Sequence, residues 1–289
     1  MAEHAAAAVR PIVHVPTTRW ARVRRSPTLL LGMALLAVIV TAAAAAPLLT
    51  RYDSSSHDLD RTFEGPSRTH LLGTDNFGRD LFARLLYGAR IDLMIGIFAT
   101  LVTLVVGSAI GLAAGYYGGR LDRVVMRLVD IVVAFPFFVL VIGLVAMLGT
   151  GLRNMFLAIW LVGWVSYARI VRGEVLFVRT REYVEAARVI GASDAGIVVR
   201  HVLPNVVTPA VVFSMSDVVL NILLGSSLSF LGLGAQPPAP EWGLMIAEGR
   251  TFLATAWWLS ALPGLAIVIT GVAFSLIGDG LADVLRPGG

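Results

Sequence analysis

Between Thr28 and Leu49 the chain runs for 22 residues without one charged side chain. About 20 apolar residues in a helix cross a hydrocarbon layer about 30 Å thick, and inside that layer every backbone N–H and C=O must be paired within the protein. A helix pairs them within one segment. Comparable runs recur at about Ile91–Gly115, Val124–Leu148, from Asn154 to about Ile170, Val206–Leu231 and Trp258–Ile277. Six runs predict an all-α polytopic membrane protein with six transmembrane helices. Ala42 to Ala46 offer small residues for signal cleavage, but the run before them is longer than a typical signal core, so it is read as the first span.

Only 15% of the residues are charged, against about 25% in soluble domains. All 23 basic residues are Arg, and the net charge of +4 need not imply nucleic acid. What matters in a membrane chain is which loops hold the cations. The N-terminal tail, residues 116–127, residues 169–200 and the C-terminus hold 15 Arg, and the intervening loops hold 8. The positive-inside rule then places both termini in the cytosol, with the protein multi-pass in the cell membrane. The chain has no cysteine, which excludes disulfides and thiolate metal sites. His4, His14, His57, His70 and His201 lie far apart without ligand spacing, so neither a metal nor a cofactor is expected in this chain. No G-x-x-x-x-G-K-[ST] loop, G-x-S-x-G elbow or H-E-x-x-H helix occurs. The chain is not expected to be an enzyme, and any ATP-driven work must come from outside it.

Within this frame several stretches depart from plain spans. Residues 78–90, GRDLFARLLYGAR, set Leu81, Phe82, Leu85 and Leu86 apart from Arg79 and Arg84, which predicts a short interfacial helix before the second span. Gly107, Gly111 and Gly115 repeat every four residues and bare one helix face for close packing. Pro136 falls inside the third run and predicts a kink. The tail GDGLADVLRPGG closes the chain after the sixth span. Ser214, Asp217 and Asn221 share a face of the fifth run. A carboxylate there faces a cavity or a partner helix. If that face lines a passage, Asp217 can meet an amino group. The alternative is that it pairs with another helix or stays protonated. Asp130 is expected at the interface or beside Arg127. Thr74, Asp75, Asn76, Gly78, Arg79 and Asp80 form a turn-rich motif that either steadies a docked partner or is simply an Asx turn with a capped helix. The loop from Gln236 to Trp242 is stiffened by prolines, with Trp242 suited to the membrane interface.

The most unusual stretch is EYVEAARVIGASDAGIVVRHVLPN, residues 182–205. It is charged, with Gly191 breaking a helix and Ser193 or Asp194 able to cap a second one that ends near His201, before Pro204 starts the next span. A rigid protruding helix with small residues Ala186, Ala187, Gly191 and Ala192 suits insertion into a groove on another protein, and Glu185 offers a carboxylate to a partner's cation. A solvated helix that binds nothing is the competing reading.

Glu185-Ala186-Ala187, Gly191 and the Leu203-Pro204 ending resemble the EAA loop of ABC importer permeases, with His201 where many such loops carry Ile. HLLGTDNFGRDLFARLLYGARIDL (70–93), LSFLGLGAQPPAPEWGLMI (228–246) and GDGLADVLRP (278–287) resemble the C-type permease subunit of dipeptide and oligopeptide importers, and the likeness covers nearly everything after residue 27. The resemblance implies a type I importer permease fold divided into a cytosolic tail (1–27), a first helix with extracellular loop and interfacial helix (28–90), and a core permease domain (91–289) with coupling loop 182–204. It implies that Glu185, Ala186, Ala187, Gly191 and Ala192 meet a cytosolic ATPase subunit. It also implies a second homologous permease, one or two ATPase subunits that bind ATP and Mg, an extracellular substrate-binding protein, and a peptide as substrate. Nickel-chelate, glutathione and antimicrobial-peptide importers share these motifs. An ion-coupled carrier or channel would show inverted repeats, and none is evident.

Overall fold

The apolar runs are helical in a computed structural model of the chain, which describes residues 23, 24 and 26–285. Most of the basic tail and Arg286 lie outside the described residues. Helix α1 spans Pro27–Ala44, with Ser26 accepting from Leu29 N at its start, and a single turn, α2 (Ala46–Leu49), follows. The interfacial helix expected before the second span is not a separate element. It forms the first turns of one 37-residue helix, α3 (Leu81–Tyr117). At 1.5 Å per residue this is about 55 Å long, so α3 projects well beyond a hydrocarbon layer. Asp80 starts it by accepting from Ala83 N at 2.7 Å. Gly118 and Gly119, both at positive φ, end it and reverse the chain.

The third run is where the expectation is most altered. It is two helices, α4 (Gly119–Val133) and α5 (Phe137–Leu148), bent by 87° at the break before Pro136. Proline supplies no N–H to continue the ladder and its ring clashes with the preceding turn, but the large angle also reflects α4 itself. Arg120, Arg123 and Arg127 interrupt its apolar residues, so α4 is a poor membrane span. Among the described residues, five helices can cross a bilayer by length and composition, or six if this broken pair is one span.

Helix α6 (Leu152–Val178) packs along α3. The glycine stripe makes this possible. A Cβ at Gly107 would sit 2.3 Å from the Trp164 carbonyl oxygen, and one at Gly111 would sit 2.4 Å from that of Ala168. Two short helices come next, α7 (Glu182–Val189) and α8 (Asp194–Ile197). The second does not stop at His201 as expected. A π-helical stretch, Val198–Val202, carries it directly into α9 (Leu203–Phe230). The widened turn gives the Pro204 ring room where an α-helical carbonyl would obstruct it.

After α9 the segment is expected from its sequence to be a loop stiffened by prolines. It holds a cis Pro237–Pro238 bond and then a helix, α10 (Trp242–Gly249). Trp242 faces the protein interior. It is 2% exposed, packed with Leu81, Leu93 and Leu259, and its indole N–H donates to the Leu85 carbonyl at 3.1 Å. Helix α11 (Trp258–Leu285) packs on α1, α9 and α10, and it absorbs the GDGLADVL tail expected to lie beyond the span.

Candidate functional site

Three groups of residues singled out by sequence now have positions. At the α3 N-terminal end, the 74–80 motif is folded inward. Thr74 is fully buried, and its hydroxyl donates to the Arg61 carbonyl and accepts from Glu64 N. Asp75 Oδ1 accepts from the amides of Phe77 and Arg79, an Asx turn, while Oδ2 accepts from Arg79 Nε at 2.6 Å. Arg79 and Arg84, each 1% exposed, both reach Glu248 on α10, at 2.7 and 3.0 Å. Gly78 (φ 70°) passes so close to Asp58 that no Cβ fits. Asp80 caps α3 with one oxygen and meets His70 Nδ1 at 2.8 Å with the other. The motif is a charged lock between the 51–80 segment and α10. Beside it, Glu241 caps α10 by accepting from the amides of Gly243 and Leu244, and burial pushes its carboxyl above the ordinary range despite those donors.

At the opposite end of α3 lies the 182–204 segment. Val184, Ala187 and Ile197 point into an apolar cluster with Val171, Val175 and Val206. Ser193 caps α8 by accepting from Gly196 N, and Tyr116 at the end of α3 donates to Asp194 Oδ1 at 2.7 Å. Arg172 forms a two-pronged pair with Asp122 of α4 at 2.6 and 2.7 Å. Held this way, the segment presents Glu185, Ala186 and Gly191 to the exterior. Gly191 has φ 80° and nothing within 4 Å of a would-be Cβ. Ala187 faces the chain's own core, and Ala192 is half-buried, its amide donating to the Ala187 carbonyl. Val189 and Ile190 were missed. They are 87% and 83% exposed at the tip. The signal was available as two β-branched apolar residues immediately before the breaking glycine in a charged stretch.

Between the two ends, the α4–α5 elbow, α6 and α9 line a partly open cavity of about 510 Å³. Its wall is mostly apolar and aromatic, including Phe135, Phe137, Phe138 and Phe213. Asp217 is the one charged residue among the described residues that line it. Its Oδ2 accepts from Tyr167 Oη at 2.8 Å and Asn221 Nδ2 at 3.3 Å. Asn221 also lines the cavity and donates to Thr100 Oγ1 at 2.9 Å. Asp217 therefore both faces a cavity and bonds a neighbouring helix, two of the readings its sequence position left open. Ser214 does not join them. It is buried, and its hydroxyl donates to the Val211 carbonyl of its own helix at 2.7 Å. Asp130 is exposed and makes no ion pair with Arg127.

The bundle thus carries an exposed, rigidly packed segment at one end and a largely apolar cavity lined by three of its elements. Residues 107–288 match the family described as binding-protein-dependent transport system inner membrane component. The chain belongs to this family. Residues 18–66 match the N-terminal transmembrane domain of oligopeptide transport permease C. A glutathione transport system permease protein of Pectobacterium atrosepticum is 43% identical over 269 residues, 93% of this chain and 89% of the relative. A putative peptide transport system permease protein of Brucella suis is 42% identical over 266 residues, covering 92% and 90%. A glutathione permease of Escherichia coli is 42% identical over 269 residues. The protein is thus an all-α, multi-pass ABC permease subunit of the C type.

Proposed function

We propose that this permease forms half of the membrane path of an ATP-driven importer of di- and oligopeptides. The observation that carries the reading is the 182–204 segment: an exposed tip of Glu185, Ala186, Val189, Ile190 and Gly191 on a buried apolar footing. Val189 and Ile190 gain nothing from exposure to water and fit an apolar groove on an ATPase subunit. Glu185 fits a cation at that groove's rim. One or two ATPase subunits bind ATP and Mg and do the hydrolysis. A second, homologous permease supplies the wall that the cavity lacks, and an extracellular binding protein delivers substrate. Both termini lie in the cytosol.

Peptide as the substrate class is supported by the relatives' names, since glutathione is itself a tripeptide. The cavity agrees with it: aromatic walls for side chains and one carboxylate, Asp217, for a free amino group. Replacing Asp217 with Asn is expected to lower uptake of peptides with a free N-terminus at normal membrane abundance, and N-acetylated peptides should lose less. Equal uptake by variant and wild type would remove Asp217 from the path.

The decisive experiment reconstitutes the chain with its partners and measures ATP hydrolysis with and without peptide-loaded binding protein. Stimulation by loaded binding protein is expected. Glu185→Arg together with Gly191→Leu should release the ATPase subunit and abolish stimulation. An importer that keeps its ATPase and its rate with both changes present contradicts the docking role.

A further inference from the structure

One side chain touches both the cavity wall and the packing that holds the docking segment. Tyr167, on α6, is fully buried. Its ring belongs to the apolar cluster that includes Val184 of α7, Ile197 of α8 and Val206 of α9. Its hydroxyl donates to Asp217 Oδ2 at 2.8 Å. The ring also meets Phe213 edge-on, with centroids 5.3 Å apart, and Phe213 lines the cavity beside Asp217. On the remaining side α3 presses close: a Cβ at Gly107 would lie 2.7 Å from the Tyr167 Cβ. The tyrosine has no room to retreat from α9. Asn221, the second donor to the same oxygen, is tied to Thr100 on α3 and has no place in that apolar cluster.

We propose that Tyr167 is a positioning residue, whose hydroxyl ties the orientation of the cavity carboxylate Asp217 to the packing of the ATPase-docking segment. The proposal rests on the reading of Asp217 as part of the substrate path. When the ATPase subunits draw the docking segment inward, Val184 and Ile197 carry their cluster with them, and α6 shifts against α9 at Tyr167. Close-packed interiors transmit such shifts instead of absorbing them. The Tyr167–Asp217 bond then stretches or breaks, and the carboxylate changes its presentation to the cavity. Coupling of this kind is reciprocal. A substrate ammonium that competes for Asp217 feeds back on the docking segment through the same bond.

The test uses the whole complex in proteoliposomes, with wild type, Tyr167→Phe, Asp217→Asn and the double variant. Phenylalanine keeps the ring and its packing and removes only the hydroxyl. Expected for Tyr167→Phe are normal co-purification of the ATPase subunit, an unchanged melting temperature, normal basal hydrolysis, and a loss of about tenfold in both loaded-binding-protein stimulation and peptide uptake per ATP. Asp217→Asn should show a similar loss, and the double variant no more than the larger single loss, because both act through one bond. Full stimulation in Tyr167→Phe, or losses that multiply in the double variant, overturns the proposal and leaves Asp217 in the path. A Tyr167→Phe complex that falls apart makes the hydroxyl structural and overturns it too. Normal uptake by Asp217→Asn removes the cavity reading, and the proposal with it.

Discussion

Arg79 and Arg84 set the problem at the residue scale. Two guanidiniums, each 1% exposed, share Asp75 and Glu248 between the entry to α3 and α10. Removing one member of a buried ionic group leaves the others desolvated and unpaired, at a cost of about 3–5 kcal/mol. Arg79→Ala is therefore expected to lower the melting temperature of the purified protein and its abundance in membranes. The same substitution decides between two uses of the 74–80 motif. If the motif were a surface for a docked binding protein, Arg79→Ala would leave the melting temperature alone and weaken that protein's binding. The buried lock predicts the reverse order: stability falls first, and any change in docking follows from it.

The glycine stripe belongs to the element scale. Gly111 brings α3 within backbone contact of α6, and a Cβ there would lie 2.4 Å from the Ala168 oxygen and 2.9 Å from its Cα. Backbone cannot swing aside as a flexible side chain can, so Gly111→Val must part the helices. Overpacking of this kind costs about 1–3 kcal/mol or more, and a fluorescent fusion should report reduced folded protein in membranes. Gly264→Ala on α11 meets nothing within 4 Å and serves as the neutral comparison. The stripe was legible because its period is helical and its residue is the one that lacks a side chain. The fusion of the 78–90 segment with the second span was not, because an amphipathic turn and an apolar run are both helical and no breaking residue separates them. Pro136 announced a bend but not 87°, since the angle depends on where the flanking helices pack. Helix α10 was missed because eight residues show too little periodicity to stand out from a proline-rich loop, and its burial depends on Asp92 of α3 accepting from Trp242 N at 3.1 Å across 150 residues. Asp217, Asn221 and their shared face were legible. The turning of Ser214 onto its own backbone was not, because a serine's rotamer is set by local competition for a carbonyl.

For the whole molecule, the question is which end faces which compartment. The 182–204 segment, the proposed docking end, and the 51–80 segment sit at opposite ends of α3, about 55 Å long at the usual helical rise. Arg120, Arg123, Arg127, Arg172, Arg179 and Arg188 all gather toward the docking end. Cations of this density favour the cytosolic side during insertion, which is the orientation that the proposed ATPase docking requires. The chain contains no cysteine, which makes the orientation directly measurable. Single cysteines placed at Val189 and Leu71, both exposed in the free chain, should behave oppositely toward a membrane-impermeant thiol reagent. Leu71→Cys is expected to label in intact spheroplasts, and Val189→Cys only after permeabilisation and removal of the ATPase subunit. Labelling of Val189→Cys in intact spheroplasts would invert the protein in the membrane and leave its docking tip with no ATPase to meet.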